Sequence, residues 1–153
     1  MKPLSLWEAE RLTLQRSLAL TKESLQVYGS LYNHWAIAYS GGKDSTAVVS
    51  LVTHLIASGE VPAPKSLTVL YADTRMELPP LHAAAMQLLG TLRQRGITTQ
   101  VVLPTLDDRF FVYIFGRGVP PPKNRFPWCT PQLKVEPMTT LRPHRASRGR
   151  GRA

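Results

Sequence analysis

Six consecutive residues, Ser40-Gly41-Gly42-Lys43-Asp44-Ser45, bring together two hydroxyls, two glycines, a cation and a carboxylate. Adjacent glycines adopt backbone angles closed to other residues, so their amides can converge on phosphate oxygens. Ser40 and Ser45 add hydroxyls, and Lys43 adds positive charge if it turns inward. The run is not a Walker A loop, which would need glycine in place of Ile37 and Ser or Thr in place of Asp44.

Such a loop works only if a strand delivers it and a helix begins behind it. His34 to Tyr39 (HWAIAY) is a short apolar run that fits a buried strand, and residues 45 to 58 (STAVVSLVTHLIAS) have helical length with apolar residues on more than one face. The N-terminal dipole of that helix adds to the pull on an anion. A second strand is expected over Leu67 to Ala72, ending at Asp73-Thr74. A helix opened by Pro79-Pro80 runs through Leu81, Ala85, Leu88, Leu89 and Leu92 to a stop at Gly96, and a third strand spans Ile97 to Leu103. This alternation predicts an α/β fold, a mainly parallel sheet with flanking helices, whose ligands bind at the carboxyl ends of the strands.

On either side lie less regular segments. Residues 5 to 28 read as a helix with a Ser5/Glu8 capping box and apolar Trp7, Leu14, Leu18, Leu25 and Tyr28. Asp107 to Phe115 reads as a short amphipathic helix, and Gly116 to Pro137 as a proline-rich loop. Three parts follow: an N-terminal helix in 1–29, a nucleotide-binding domain in 30–138, and an arginine-rich tail in 139–153.

Three blocks carry a family resemblance: YSGGKDSTAVVSLV (39–52), YADTRMELPP (71–80) and GRGVPPPKNRFPWCTPQLKVEP (116–137). The first resembles the SGGxDS signature of PP-loop ATP pyrophosphatases. Together they resemble the phosphoadenosine phosphosulfate (PAPS) reductase family, and within it the DndC-like proteins of DNA phosphorothioation. The resemblance implies an adenine nucleotide alpha-hydrolase-like fold and nucleotide binding by Ser40, Gly41, Gly42, Lys43, Asp44, Ser45 and Thr74. It further implies attack at the α-phosphate of ATP, with Lys43, Asp44, Asp73 and Cys129 as catalytic candidates, Asp44 and Asp73 as Mg2+ ligands, and pyrophosphate as product. DNA is the implied acceptor and a cysteine desulfurase the implied partner. The alternatives are a sulfonucleotide (PAPS or APS) reductase and an inactive nucleotide-binding fragment.

The sequence departs from the family at three places. Arg75 stands where the family has glycine after its Asp-Thr pair, and Asp73 either positions magnesium or a substrate group or caps the following turn. In CTPQLK, Thr130 and Leu133 replace the second cysteine and the arginine of iron–sulfur sulfonucleotide reductases. An iron–sulfur cluster is expected in the full-length family, but Cys129 is the only cysteine and a cluster normally needs four thiolates. Cys129 is then a sulfur carrier, a remnant ligand or an inert residue. Arg117, Lys123, Arg125 and Lys134 are candidates to fold over the phosphates, or else solvated loop charges.

The charge balance separates the body from the tail. Of the net +9, residues 1–138 hold fourteen Lys or Arg against ten acids, whereas the tail holds Arg142, Arg145, Arg148, Arg150 and Arg152 and no acid. The tail is expected to be disordered, arising from a truncated or frameshifted end or serving as a nucleic-acid-binding arm. With one cysteine there is no intrachain disulfide, and no run of 18 apolar residues suggests a membrane span, so a cytoplasmic protein is expected.

Overall fold

The computed structural model describes residues 12–123 and 126–140. It is an α/β structure with a three-strand parallel sheet and flanking helices. Of the described residues, 12–35 and 50–66 form one compact unit, and 36–49, 67–123 and 126–140 form a second.

The sheet order is β1 (His34–Tyr39), β2 (Ser66–Ala72), β3 (Thr98–Val102), with α2 (Lys43–Ala57) and α3 (Pro79–Gln94) as the crossovers. Strands β2 and β3 run parallel, Thr68 facing Thr98 and Ala72 facing Val102. Because side chains alternate along a strand, Ile37, Tyr39, Val69, Tyr71 and Val101 share one face. There they pack with Val49 of α2 and Ala85, Leu89 and Leu92 of α3. Both crossovers therefore cover the same face, as successive right-handed connections stepping in one direction must. That leaves Ala36 and Ala38 exposed on the other face, and corrects the expectation of a buried first strand: in β1 only Tyr39 is buried. The physical reason is position, since among the described residues β1 lies at the sheet edge with only one face covered.

Helix α3 begins with prolines in its first turn, where their missing N–H groups would lack partners anyway. Its buried residues Ala85, Leu89 and Leu92 recur at spacings of four and three, while Leu81 stays exposed. Gly96 has φ +80°, and the Ile97 amide closes the helix on the Leu92 carbonyl at 3.0 Å.

In the first unit, α1 spans Leu14–Gly29. Thr13 is its N-cap, accepting from the Arg16 amide at 3.2 Å; the Ser5 cap expected from the sequence lies outside the described residues, as does Trp7. No residue of α1 is buried. It is tied down by polar contacts: Lys22 pairs with Glu60, and Gln26 donates to the Glu60 carbonyl at 3.1 Å. The hydrogen bonds from Lys22 and Ser58 hold the Glu60 carboxyl below its ordinary range.

The segment after β3 differs from expectation. The helix expected over 107–115 is broken into a 3-10 turn, Leu106–Asp108, and a π-helical turn, Val112–Gly116, with Arg109 extended between them. Thr105 donates to the Asp108 carboxylate at 2.7 Å, a local bond that competes with helix continuation. Beyond it, Phe110 and Tyr113 both pack on Trp128, with centroids 5.6 and 4.7 Å away, a distant contact that periodicity does not reveal. The loop expected up to Pro137 is also partly helical. A π-helical turn at Pro131–Val135 leads into α4 (Glu136–Thr140), and Leu133 is buried. Proline tolerates a first helical turn, and burial of Leu133 supplies the apolar anchor. Thr139 and Thr140, expected in the tail, belong to α4; residues 141–153 lie outside the described residues. Among the described residues no helix is long and apolar enough to cross a membrane.

Candidate functional site

The glycine loop leaves β1 at Tyr39 and enters α2 at Lys43. Its conformation depends on Gly41, whose φ is +77°, a region that L side chains rarely adopt. A Cβ there would also stand 3.4 Å from both Ala85 Cβ and Tyr71 Cε2, so the loop backbone rests directly on the core. The two serines fasten it. Ser45 Oγ donates to the Gly42 carbonyl at 3.0 Å, accepts from the Ser40 amide at 3.3 Å, and lies 3.0 Å from Ser40 Oγ.

The Thr46 amide and hydroxyl both donate to the Gly42 carbonyl, at 2.9 and 2.8 Å. That bond starts α2. The amides of Lys43, Asp44 and Ser45 precede it and so lack a helical acceptor, which with the helix dipole favours an anion. Lys43 and Asp44 are exposed beside them. The arrangement can therefore present backbone amides, hydroxyls and one ammonium to phosphate oxygens.

Beneath the loop is a layer of polar rings. Tyr39 and Tyr71 meet with centroids 5.6 Å apart; Thr46 Oγ1 donates to the Tyr39 hydroxyl at 3.4 Å, and the Tyr71 hydroxyl lies 3.4 Å from His82 Nδ1. Burial, reinforced by the charges of Glu77 and Asp73, pushes the Tyr71 phenol up to about 12. Tyr71 thus stays protonated and neutral under the loop.

The turn after β2 is organised differently. Asp73 and Thr74 are buried, and the Asp73 amide extends the sheet by donating to the Val102 carbonyl at 2.9 Å. Asp73 Oδ1 accepts from the Arg75 amide at 3.0 Å, and Oδ2 lies 3.4 Å from Arg75 Nε. Arg75 itself has φ +63°, so the backbone keeps a glycine-type conformation although the residue is arginine. Glu77 completes the turn by accepting from the Thr74 hydroxyl at 2.8 Å, the Thr74 amide at 3.4 Å and the Met76 amide at 3.3 Å. Burial pushes the Glu77 carboxyl up, but these hydrogen bonds outweigh it and hold the group below its ordinary value.

The C-terminal candidates are dispersed among separate contacts. Arg117 stands 5.1 Å from the Tyr113 ring centroid and 3.7 Å from Asp108 Oδ1. Lys123 forms a short antiparallel bridge with Phe126, and Lys134 is half-buried in the π-helical turn that ends in α4. Cys129 is a free, half-buried thiol next to Trp128, whose indole donates to the Pro120 carbonyl at 3.0 Å. Arg125 lies outside the described residues. No group of three or more His, Cys, Asp or Glu side chains suited to a metal ion occurs among the described residues.

Two contributors escape a reading by motif, Glu77 and Tyr71. Glu77 has a local signal, because Thr74-x-x-Glu77 just ahead of a helix is a capping-box spacing. Tyr71 has none, because its contact with Gly41 joins residues thirty positions apart. The fold and the two turns define an α/β protein with a glycine-seated loop at a helix start. No family model matches the chain, and no curated protein matches it.

Proposed function

We propose that the chain is a PP-loop protein of the adenine nucleotide alpha-hydrolase type that binds ATP with its phosphates on residues 40–45. The observation that carries this reading is the seat of Gly41: a left-handed glycine against Tyr71 and Ala85, with hydroxyls tying the loop and unbonded helix amides following it. That architecture favours a polyanion and leaves room for close backbone approach.

In the DndC-like reading, an acceptor oxygen attacks the α-phosphorus of ATP, the bond to the bridging oxygen breaks, and pyrophosphate leaves an adenylated acceptor. DNA as acceptor and a cysteine desulfurase as sulfur donor belong to the same proposal, as does a cytoplasmic location. Magnesium, when bound with ATP, offsets phosphate charge and usually needs only one or two protein carboxylates. Asp44, exposed at the helix start, fits that role. Asp73 fits it less well, since Arg75 engages both of its oxygens. An iron–sulfur cluster does not fit the single thiol of Cys129.

The test is pyrophosphate release from ATP with and without DNA, paired with thermal melting in ATP. Release that depends on DNA, together with an ATP-raised melting temperature, is the expected result. Stabilisation without release would reduce the chain to a nucleotide-binding fragment. Neither effect would sink the reading, and thioredoxin-dependent reduction of a sulfonucleotide would replace it with the reductase.

A further inference from the structure

A cavity of about 240 Å³ lies within the second unit, apart from the residues of the glycine loop. Its walls are the β2–α3 turn (Thr74, Arg75, Met76) and the segment after β3, including Leu106, Arg109, Phe110 and Phe111. The chemistry of this lining is mixed in a particular way: two guanidinium side chains and one hydroxyl among aromatic and aliphatic groups.

Arg109 supplies the directional clue. Its Nε is buried and has no hydrogen-bond partner among the described residues. A buried donor without an acceptor costs free energy, more for a charged group, and is rare in folded proteins. Such a donor in a cavity wall calls for an acceptor brought from outside. An oxyanion answers best, because it accepts charge-assisted bonds from a guanidinium. The rest of the lining asks for something else. Phe110 and Phe111 meet edge to face at 5.6 Å, and Phe111 is more than half exposed, so a ring edge or face is open to a flat apolar body.

Arg75 bears on the same wall. Its left-handed backbone and its pairing with the Asp73 carboxylate fix where the side chain departs. Asp73 also lowers the net positive charge there, which leaves Arg109 as the cation not paired to a carboxylate. We infer that this cavity is a second ligand site, for a planar aromatic molecule bearing an oxyanion, with Arg109 as the anion-binding group. An aryl acid and a small nucleotide share that chemistry. The inference does not depend on the nucleotide reading of the glycine loop.

The experiment uses the full chain and three probes followed by calorimetry: phenyl phosphate, inorganic phosphate and ATP. Phenyl phosphate is expected to bind at least tenfold more tightly than inorganic phosphate, since the ring and the anion each contribute. Arg109→Met should weaken phenyl phosphate at least tenfold and leave ATP unchanged, and Arg109→Lys should recover only part of the loss. Gly42→Asp places a carboxylate in the glycine loop, where a Cβ meets nothing nearer than Ser40 Oγ at 3.6 Å. It should abolish ATP binding and spare phenyl phosphate. Melting curves of each variant establish that it is folded, and Phe111→Ala, at an exposed position, gives an independent test of the ring contact. Equal affinity for the two phosphates, unchanged phenyl phosphate binding in both Arg109→Met and Phe111→Ala, or its loss in Gly42→Asp would overturn the site. Loss of ATP binding alone would count against the loop reading and leave the cavity standing.

Discussion

Two turns at the carboxyl ends of adjacent strands solve the same backbone problem in opposite ways. The turn after β1 takes its positive φ at Gly41, and the turn after β2 takes one at Arg75. In the first, side chains hold the loop through carbonyls and each other, so the amides that open α2 remain available. In the second, Asp73 and Glu77 consume the amides of Thr74, Arg75 and Met76. A turn whose donors are satisfied by its own carboxylates has little left for an anion; one tied by hydroxyls keeps its donors free.

The sharpest way to break this contrast is at the two positive-φ residues. Gly41→Val should destabilise the fold by about 2–4 kcal/mol, combining left-handed strain with overpacking on Ala85 and Tyr71, and should abolish ATP-dependent stabilisation. Urea denaturation with and without ATP measures both. A cost below about 1 kcal/mol would mean that the loop is not seated as described.

Glu77→Gln comes next, at about 1–2 kcal/mol, because a charged acceptor of three donors becomes neutral. It also carries a pH signature. The folded-state pKa of Glu77 is depressed below 4.5, so its contribution is present above that value and is lost as pH falls through the lower one. Melting temperatures between pH 3 and 7 should therefore fall less steeply on the acid side in Glu77→Gln. An unchanged acid limb would show that Glu77 does not hold the turn.

At the other end of the scale, Arg75→Gly should change stability by less than about 1 kcal/mol. Relief of strain is offset by the greater backbone freedom of glycine in the unfolded chain and by loss of the Asp73 pair. A large loss would make the arginine side chain, rather than the backbone angle, the reason for the turn. The smallest effect is spectroscopic. Tyr71 should ionise near pH 12, seen as the difference in phenolate absorbance between wild type and Tyr71→Phe. With the folded value raised above 10.0, its stabilising contribution is complete below pH 10 and fades as pH climbs toward 12.

Much of the framework was legible from residue order. The span HWAIAY, the Pro79-Pro80 helix start and the Gly96 stop depend on local preferences, and the observed strand and helices fall within two residues of the expected boundaries. Less legible were the segments whose shape depends on distant partners. Phe110 and Tyr113 turn toward Trp128, and Leu133 is drawn into the interior; neither tendency leaves a periodic trace.

By itself, the sequence determined the order strand, glycine loop, helix, because each of those choices is made by dihedral freedom and apolar spacing within a few residues. Only the tertiary structure decided which donors stay open. It placed Tyr71 under Gly41, gave both oxygens of Asp73 to Arg75, and left Arg109 Nε buried without an acceptor. Hydrogen-bond satisfaction depends on which groups meet in space, and residue order alone does not specify that.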